Sequence, residues 1–292
     1  MKPAPFAYHR PETLAEALRL LAELAPQDGR ILAGGQSLVP IMAFRLARPV
    51  HLIDINAVVG LDGLAARDGV LHIGARVRHA AFHHPVQDGP LGRMLSTVVR
   101  HIAHYPIRLR GTFCGSLAHA DPAAEWCLMA ATLGAELVAL RTGGERRLAA
   151  RDFFQGAMAT ALEPDELLAE ARLPILPPDT CFGFEEFSRR AGDYALAMAL
   201  VMLRVEGGII AAPRIGVGGA ETVPRRIEAA EVTLSGQAPG EAVFREAAAA
   251  AAAAIDPIED AQTNAQYRRE LVGAMVYRAL SRACMPDGRA RS

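Results

Sequence analysis

The chain has 292 residues, 51% of them apolar and 22% charged, with a formal net charge of −1 from 31 basic and 32 acidic side chains. That length suits two domains, and the balance is too apolar for a disordered chain and provides no field that would gather nucleic acid or an anionic membrane. Lys2 is the only lysine, so no interior amine is present for a pyridoxal Schiff base or a Walker-type phosphate site, and a phosphate must be held by backbone N–H groups, hydroxyls or arginine.

Thr13 followed by Glu16 is a capping box that opens an amphipathic helix carrying Leu14, Leu18, Leu21 and Leu24. A short apolar strand, Arg30 to Ala33, then breaks at Gly34-Gly35, and Ser37 is placed to cap a second helix reaching about Leu46. Strands are expected at Val50 to Ile55 and Val70 to Ala75, and a helix at Leu91 to His104 ahead of Pro106. Residues 108–122 follow neither period and read as an irregular loop of small and polar residues, a type that often presents backbone groups to a ligand. A helix at Ala123 to Leu133, a hairpin of Glu136 to Arg141 with Glu145 to Ala149, and a strand at Leu167 to Leu173 complete the first part.

Pro177-Pro178 marks a hinge, so the chain divides into 1–176, 177–285 and a frayed tail, 286–292. The second part opens with three antiparallel strands at Phe182 to Arg189, Leu196 to Val205 and Ile209 to Val217. It ends in helices at Glu241 to Ile255, with eight consecutive alanines, and Gln266 to Ala283. No apolar run approaches the roughly 20 residues of a membrane span. The residues before Ala33 do not resemble a signal peptide, and a cytoplasmic location is expected.

Two turns carry the candidate chemistry. In Ala33-Gly-Gly-Gln-Ser37 the glycines permit close backbone approach, a helix start contributes partial positive charge and Ser37 adds a donor, an arrangement suited to a pyrophosphate. The same residues also read as a plain strand-to-helix turn, and they lack the G-x-G-x-x-G pattern of a Rossmann fold. Thr112-Phe-Cys-Gly-Ser116 is a second small-residue turn, preceded by Arg108 and Arg110. The pairs His101/His104 and His83/His84 lack further ligands at metal-binding spacing, and the cysteines at 114, 127, 181 and 284 are too scattered for an iron–sulfur cluster. No metal site is assigned to this chain. Cys114 reads as an inert small side chain.

Five stretches resemble one family: Ala33-Gly-Gly-Gln-Ser-Leu-Val-Pro40; Ile107-Arg-Leu-Arg-Gly-Thr-Phe-Cys-Gly-Ser-Leu-Ala-His-Ala-Asp-Pro122; Phe187-Ser-Arg-Arg-Ala-Gly-Asp-Tyr-Ala195; Arg214-Ile-Gly-Val-Gly-Gly219; and Tyr267-Arg-Arg-Glu-Leu271. They are similar to the flavin-binding medium subunit of molybdenum hydroxylases, the group of xanthine dehydrogenase and carbon monoxide dehydrogenase. The resemblance implies an α+β fold. A two-part FAD-binding domain of the PCMH, vanillyl-alcohol-oxidase-like type would precede a small C-terminal domain with a three-stranded antiparallel sheet and helices.

By the same resemblance, Ile31, Leu32, Ala33, Gly34, Gly35, Gln36, Ser37 and Leu38 contact FAD around its pyrophosphate, and Thr112, Phe113, Cys114, Gly115 and Ser116 form a second cradle. Ile102, Glu125 and Leu168 are further neighbours, with Glu125 accepting from a cofactor hydroxyl, and Tyr194 lies near the isoalloxazine. A large partner subunit would carry molybdopterin and a small one two [2Fe–2S] clusters, in a dimer of heterotrimers. FAD would take electrons from the clusters and pass them to an external acceptor, with no catalytic side chain needed here. The chain departs from the pattern at Cys114, where the second motif usually has a glycine, at Leu109, and at Glu185, where some relatives are basic. Two other readings compete: a stand-alone flavin oxidase or reductase, which would turn over an organic substrate unaided, and a cofactor-free assembly protein.

Overall fold

The structure is a computed structural model describing residues 2–261 and 263–284. The tail, 286–292, lies outside those residues. A first layer is a parallel sheet ordered β1-β3-β2, from β1 (Ala7–His9), β2 (Gly29–Leu32) and β3 (His51–Asp54). Between β1 and β2 runs α1 (Leu14–Leu24), where the Glu16 amide donates to Thr13 Oγ1 at 3.2 Å and the face of Ala17, Leu21 and Leu24 is buried. After β2 comes α2 (Leu38–Ala43), shorter than expected, with Ser37 ahead of it making no side-chain capping bond.

The second layer is antiparallel, ordered β4-β5-β10-β6-β7. It contains β4 (Leu64–Arg67), β5 (Val70–Gly74), β6 (Glu136–Arg141), β7 (Gly144–Ala149) and β10 (Leu167–Pro174). The helices of this part are α3 (Pro90–Val98), α4 (Tyr105–Arg108), α5 (Phe113–His119), α6 (Glu125–Leu133) and the short α7 (Ala150–Phe153). A two-stranded ribbon joins β8 (Phe154–Gly156) to β9 (Ala159–Thr160). Phe82, Phe113 and Trp126 form the centre of the core, with Phe113 and Phe82 ring centroids 4.9 and 5.3 Å from the indole.

The segment read as an irregular loop, 108–122, is a correction: its middle is helix α5. Gly111 and Gly115 disguised a period carried by Phe113 and Leu117, which lie four residues apart and are both buried. Thr112 caps this helix by accepting from the Gly115 amide at 3.1 Å. The helix expected at Leu91 to His104 is α3, which ends at Val98, and Ala103 turns the chain with a left-handed φ of 41°.

Beyond Pro178, β11 (Cys181–Phe187), β12 (Ala197–Glu206), β13 (Ile209–Gly218) and the two-residue β14 (Arg225–Arg226) form an antiparallel sheet in that order. The expected three strands thus gain a fourth. Arg226 joins it because the carboxylate of Glu231 accepts from both the Arg226 Nε at 2.9 Å and the Ile215 amide at 2.9 Å. Helices α8 (Glu228–Leu234), α9 (Glu241–Ala254) and α10 (Ala265–Ala283) cover one face.

Strand β12 explains its own unbroken apolar sequence. Met198, Leu200 and Met202 face the core of the first part, while Ala197, Ala199, Val201 and Leu203 face the helices, so both sides are dry. The two parts therefore share one apolar seam. Within the second part Arg268, 2% exposed, ties α10 to the sheet by bonding the carbonyls of Leu196 and Gly219, and it pairs with the carboxylate of Asp260.

Candidate functional site

The turn after β2 and the turn before α5 lie against each other across the junction of the first two sheets. A Cβ on Gly34 would stand 2.5 Å from the Arg110 carbonyl oxygen and 2.7 Å from the Gly111 Cα, so only glycine allows this contact. On their open side lies a cleft of about 670 Å³, within the size range of cofactor sites. All eight residues from Ile31 to Leu38 line it, together with Thr112, Gly115 and Ser116. Among the described residues its lining holds Arg30 and Arg48 but a single acidic one, Asp28, which is paired to Arg30 at 3.1 Å. Hydroxyls, backbone, arginine and only one carboxylate make a cradle suited to an elongated anionic ligand.

The remaining expected residues lie elsewhere. Phe113 and Cys114 sit on the inner face of α5, fully in the core, and the Cys114 thiol points away from the cleft toward the Ile73 carbonyl at 3.5 Å. A Cβ at position 114 therefore takes no cleft space, and the backbone there is ordinary right-handed helix. Burial pushes the thiol far above its usual range, which agrees with an inert side chain. Cys114→Gly is expected to cost about 2 kcal/mol in stability, from a small void plus helix entropy, while leaving FAD stoichiometry unchanged. Thermal melts and extracted flavin per chain measure both. Ile102 and Leu168 are buried core residues, and Tyr194 is 64% exposed on the loop after β11.

Sequence reasoning missed cleft residues that carry no motif. His79 lines the cleft; the Trp126 indole N–H donates to its Nδ1 at 2.9 Å, and burial lowers its pKa to about 3. The ring is thus neutral with its proton on Nε2, and that edge lies so near Gly111 that a Cβ there would stand 2.5 Å from it. Met158 also lines the cleft, as does His119 from the second of the quoted stretches. A His on an apolar stretch offers no sequence signal of this kind, because its role depends on a tryptophan 47 positions away.

A second group of titratable residues gathers where α3, α6 and β11 converge. Glu186 on β11 has a side chain only 5% exposed, its Oε2 is buried without a hydrogen-bond partner, and its nearest basic group is His101 Nδ1 at 3.9 Å. Burial and then the Glu125 charge push its pKa up to about 8. Glu125, in the first turn of α6, is itself pushed up to about 7 by burial and by Asp121. Alternation along β11 sends Glu185 to the other face, where it pairs with Arg282 at 2.5 Å.

Comparison with known proteins agrees with this geometry. The family described as FAD binding domain in molybdopterin dehydrogenase matches residues 4–176, and CO dehydrogenase flavoprotein C-terminal domain matches residues 182–283. The chain is 38% identical to the 6-hydroxypseudooxynicotine dehydrogenase complex subunit alpha of Paenarthrobacter nicotinovorans, over 97% of this chain and 96% of that one. It is 37% identical to the carbon monoxide dehydrogenase medium chain of Afipia carboxidovorans, over 97% and 98%. Among solved structures, the reconstituted CO dehydrogenase of Oligotropha carboxidovorans superposes with a TM-score of 0.93 at 37% identity, covering 97% of this chain and 99% of that one. Family signatures over both parts, full-length relatives and a glycine-built anion cleft converge: the chain belongs to the family of FAD-binding medium subunits of molybdenum hydroxylases.

Proposed function

We propose that this chain holds FAD across the cleft, with the main chain from Ile31 to Leu38 and the Thr112, Gly115 and Ser116 edge of α5 gripping the pyrophosphate region. In this reading Glu125 accepts from a cofactor hydroxyl, Tyr194 lies near the isoalloxazine, Phe113 and Cys114 belong to the second cradle through their main chain, and Ile102 and Leu168 are further neighbours of FAD. The observation that carries this reading is the contact of the two turns at Gly34 beside a cleft whose lining holds one paired carboxylate. Bound there, FAD would supply the capacity to take electrons singly and give them up as a pair. The side chains of this site bind, orient and shield, and none need move a proton for the chain to serve as a relay.

In this reading residues 1–176 carry the cofactor and residues 177–285 form the C-terminal unit sealed to them by β12. The electrons arrive from [2Fe–2S] clusters on a small partner, which receives them from a molybdopterin-bearing large partner, and leave to an external acceptor, within a dimer of heterotrimers. Four free cysteines fit a reducing, cytoplasmic setting. The test is the visible spectrum, extracted flavin, iron and molybdenum of the chain purified alone and with its co-purifying partners. One FAD per chain alone, with both metals only in the complex, is expected. No yellow chromophore and no FAD-induced rise in melting temperature would leave the cofactor-free assembly reading in its place. Turnover of an organic substrate by the isolated chain would favour the stand-alone oxidase.

A further inference from the structure

We propose that Asn56 and Arg78, which belong to neither glycine-containing turn, are positioning residues that latch the two turns into the arrangement that accepts the cofactor. The inference rests on the FAD reading above. Asn56 follows β3 in a single 3-10 turn capped by Asp54, and Ala33 follows the neighbouring β2, so both sit just past the same end of the parallel sheet. Arg78 follows β5 in the antiparallel sheet and bridges to Thr112 in the second turn. The Asn56 Nδ2 donates to the Ala33 carbonyl at 2.7 Å and to Asp54 Oδ1 at 2.5 Å. Its Oδ1 accepts from Arg78 Nη2 at 2.5 Å, and Arg78 Nη1 donates to the Arg110 carbonyl.

This chain of bonds runs from the first turn to the second through two side chains. The orientation of the Asn56 amide is fixed by its partners, because a carbonyl and a carboxylate demand a donor on one side and a guanidinium demands an acceptor on the other. The Arg110 oxygen that Arg78 holds is also the atom against which Gly34 packs. Both ends of the latch therefore act on the one place where the cradle closes. Behind it, the Tyr8 hydroxyl donates to Asp54 Oδ2 at 2.5 Å, so the carboxylate that orients Asn56 is itself held.

The residue types are specific to the task. Aspartate at 56 would keep an acceptor for Arg78 but lose the donor to Ala33 and set a second carboxylate beside Asp54. Lysine at 78 lacks the planar fork that reaches Asn56 and the Arg110 carbonyl together. Neither side chain lines the cleft, so their effect on the cofactor is exerted through the turns rather than by contact.

The experiment titrates FAD into the full-length apo-chain for wild type, Asn56→Ala, Arg78→Ala, Arg78→Lys and the Asn56→Ala/Arg78→Ala double variant, alongside apo melting temperatures and amide hydrogen exchange at residues 33–35 and 110–112. Each single variant, Arg78→Lys included, is expected to weaken FAD binding about tenfold, and the double variant no more than the worse single one, because both break one connection. Exchange at both turns should quicken in the apo-variants while the apo melting temperature stays near wild type. Binding equal to wild type, losses that multiply in the double variant, or unchanged exchange at the turns overturns the latch. Should a single alanine variant fail to fold, Asn56→Ser and Arg78→Lys are judged by the same measurements. If wild type itself takes up no FAD, the functional reading fails, and the exchange data alone decide whether the latch exists.

Discussion

Replacing Gly34 with valine is expected to abolish FAD retention, lowering affinity more than a hundredfold, which corresponds to about 3 kcal/mol or more. The sequence suggests that the branched side chain would occupy phosphate space. The structure gives a different cause: the new Cβ would face the Arg110 carbonyl and the Gly111 Cα at 2.5 and 2.7 Å, so the second turn must retreat before any ligand arrives. Backbone atoms on both sides leave no flexible side chain to yield. Opening that contact also shifts Thr112 and Ser116, which line the cleft beside it. Flavin extracted per chain, with far-UV circular dichroism to confirm the fold, measures the outcome. Full flavin occupancy in a folded Gly34→Val protein would remove the first turn from the site.

Much of this architecture was legible because local chemistry and tertiary packing agree. Thr13 and Glu16 mark the start of α1, the glycines at 207 and 208 mark the hairpin of β12 and β13, and the apolar run from Leu196 to Val205 marks β12 as a strand. The first turn was legible for the same reason, since Gly34-Gly35 between strand and helix is a local feature. What escaped depends on pairings remote in sequence. Helix α5 was masked by its glycines, the two-residue strand at Arg225–Arg226 is held by Glu231, buried beside it, and the rotation of α5 that turns the Phe113 and Cys114 side chains into the core has no local signature. His79, Asn56 and Arg78 owe their roles to Trp126, Ala33 and Arg110, and no spacing rule links those positions.

Glu186→Gln is expected to flatten the dependence of stability on pH, because wild type carries a carboxyl that folding makes harder to ionise. Its folded pKa is raised to about 8 from an ordinary value of 4.5, and that of Glu125 to about 7. A raised carboxyl contributes its full stability below pH 4.5, where both folded and unfolded states are protonated, and loses it as the pH climbs through 8. The groups around it supply no compensation. Burial and then the Arg282 charge lower the pKa of His101, Arg282 itself is engaged by Glu185, Arg108 is spent on the carbonyls of Ile102 and Ala103, and Glu125 and Asp121 add only negative charge. At pH 5 the variant and wild type should therefore melt together, the amide imitating the neutral acid. At pH 9 the variant should be more stable by about 3 kcal/mol, a gap of roughly 5–10 °C in melting temperature. Because the two carboxyls sense each other, Glu125→Gln should also lower the pH at which Glu186 ionises. Melting curves for the apo-chain across pH 5–9 measure all of this without any cofactor, and parallel curves for wild type and Glu186→Gln would mean that the Glu186 carboxylate has a partner that stabilises its charge.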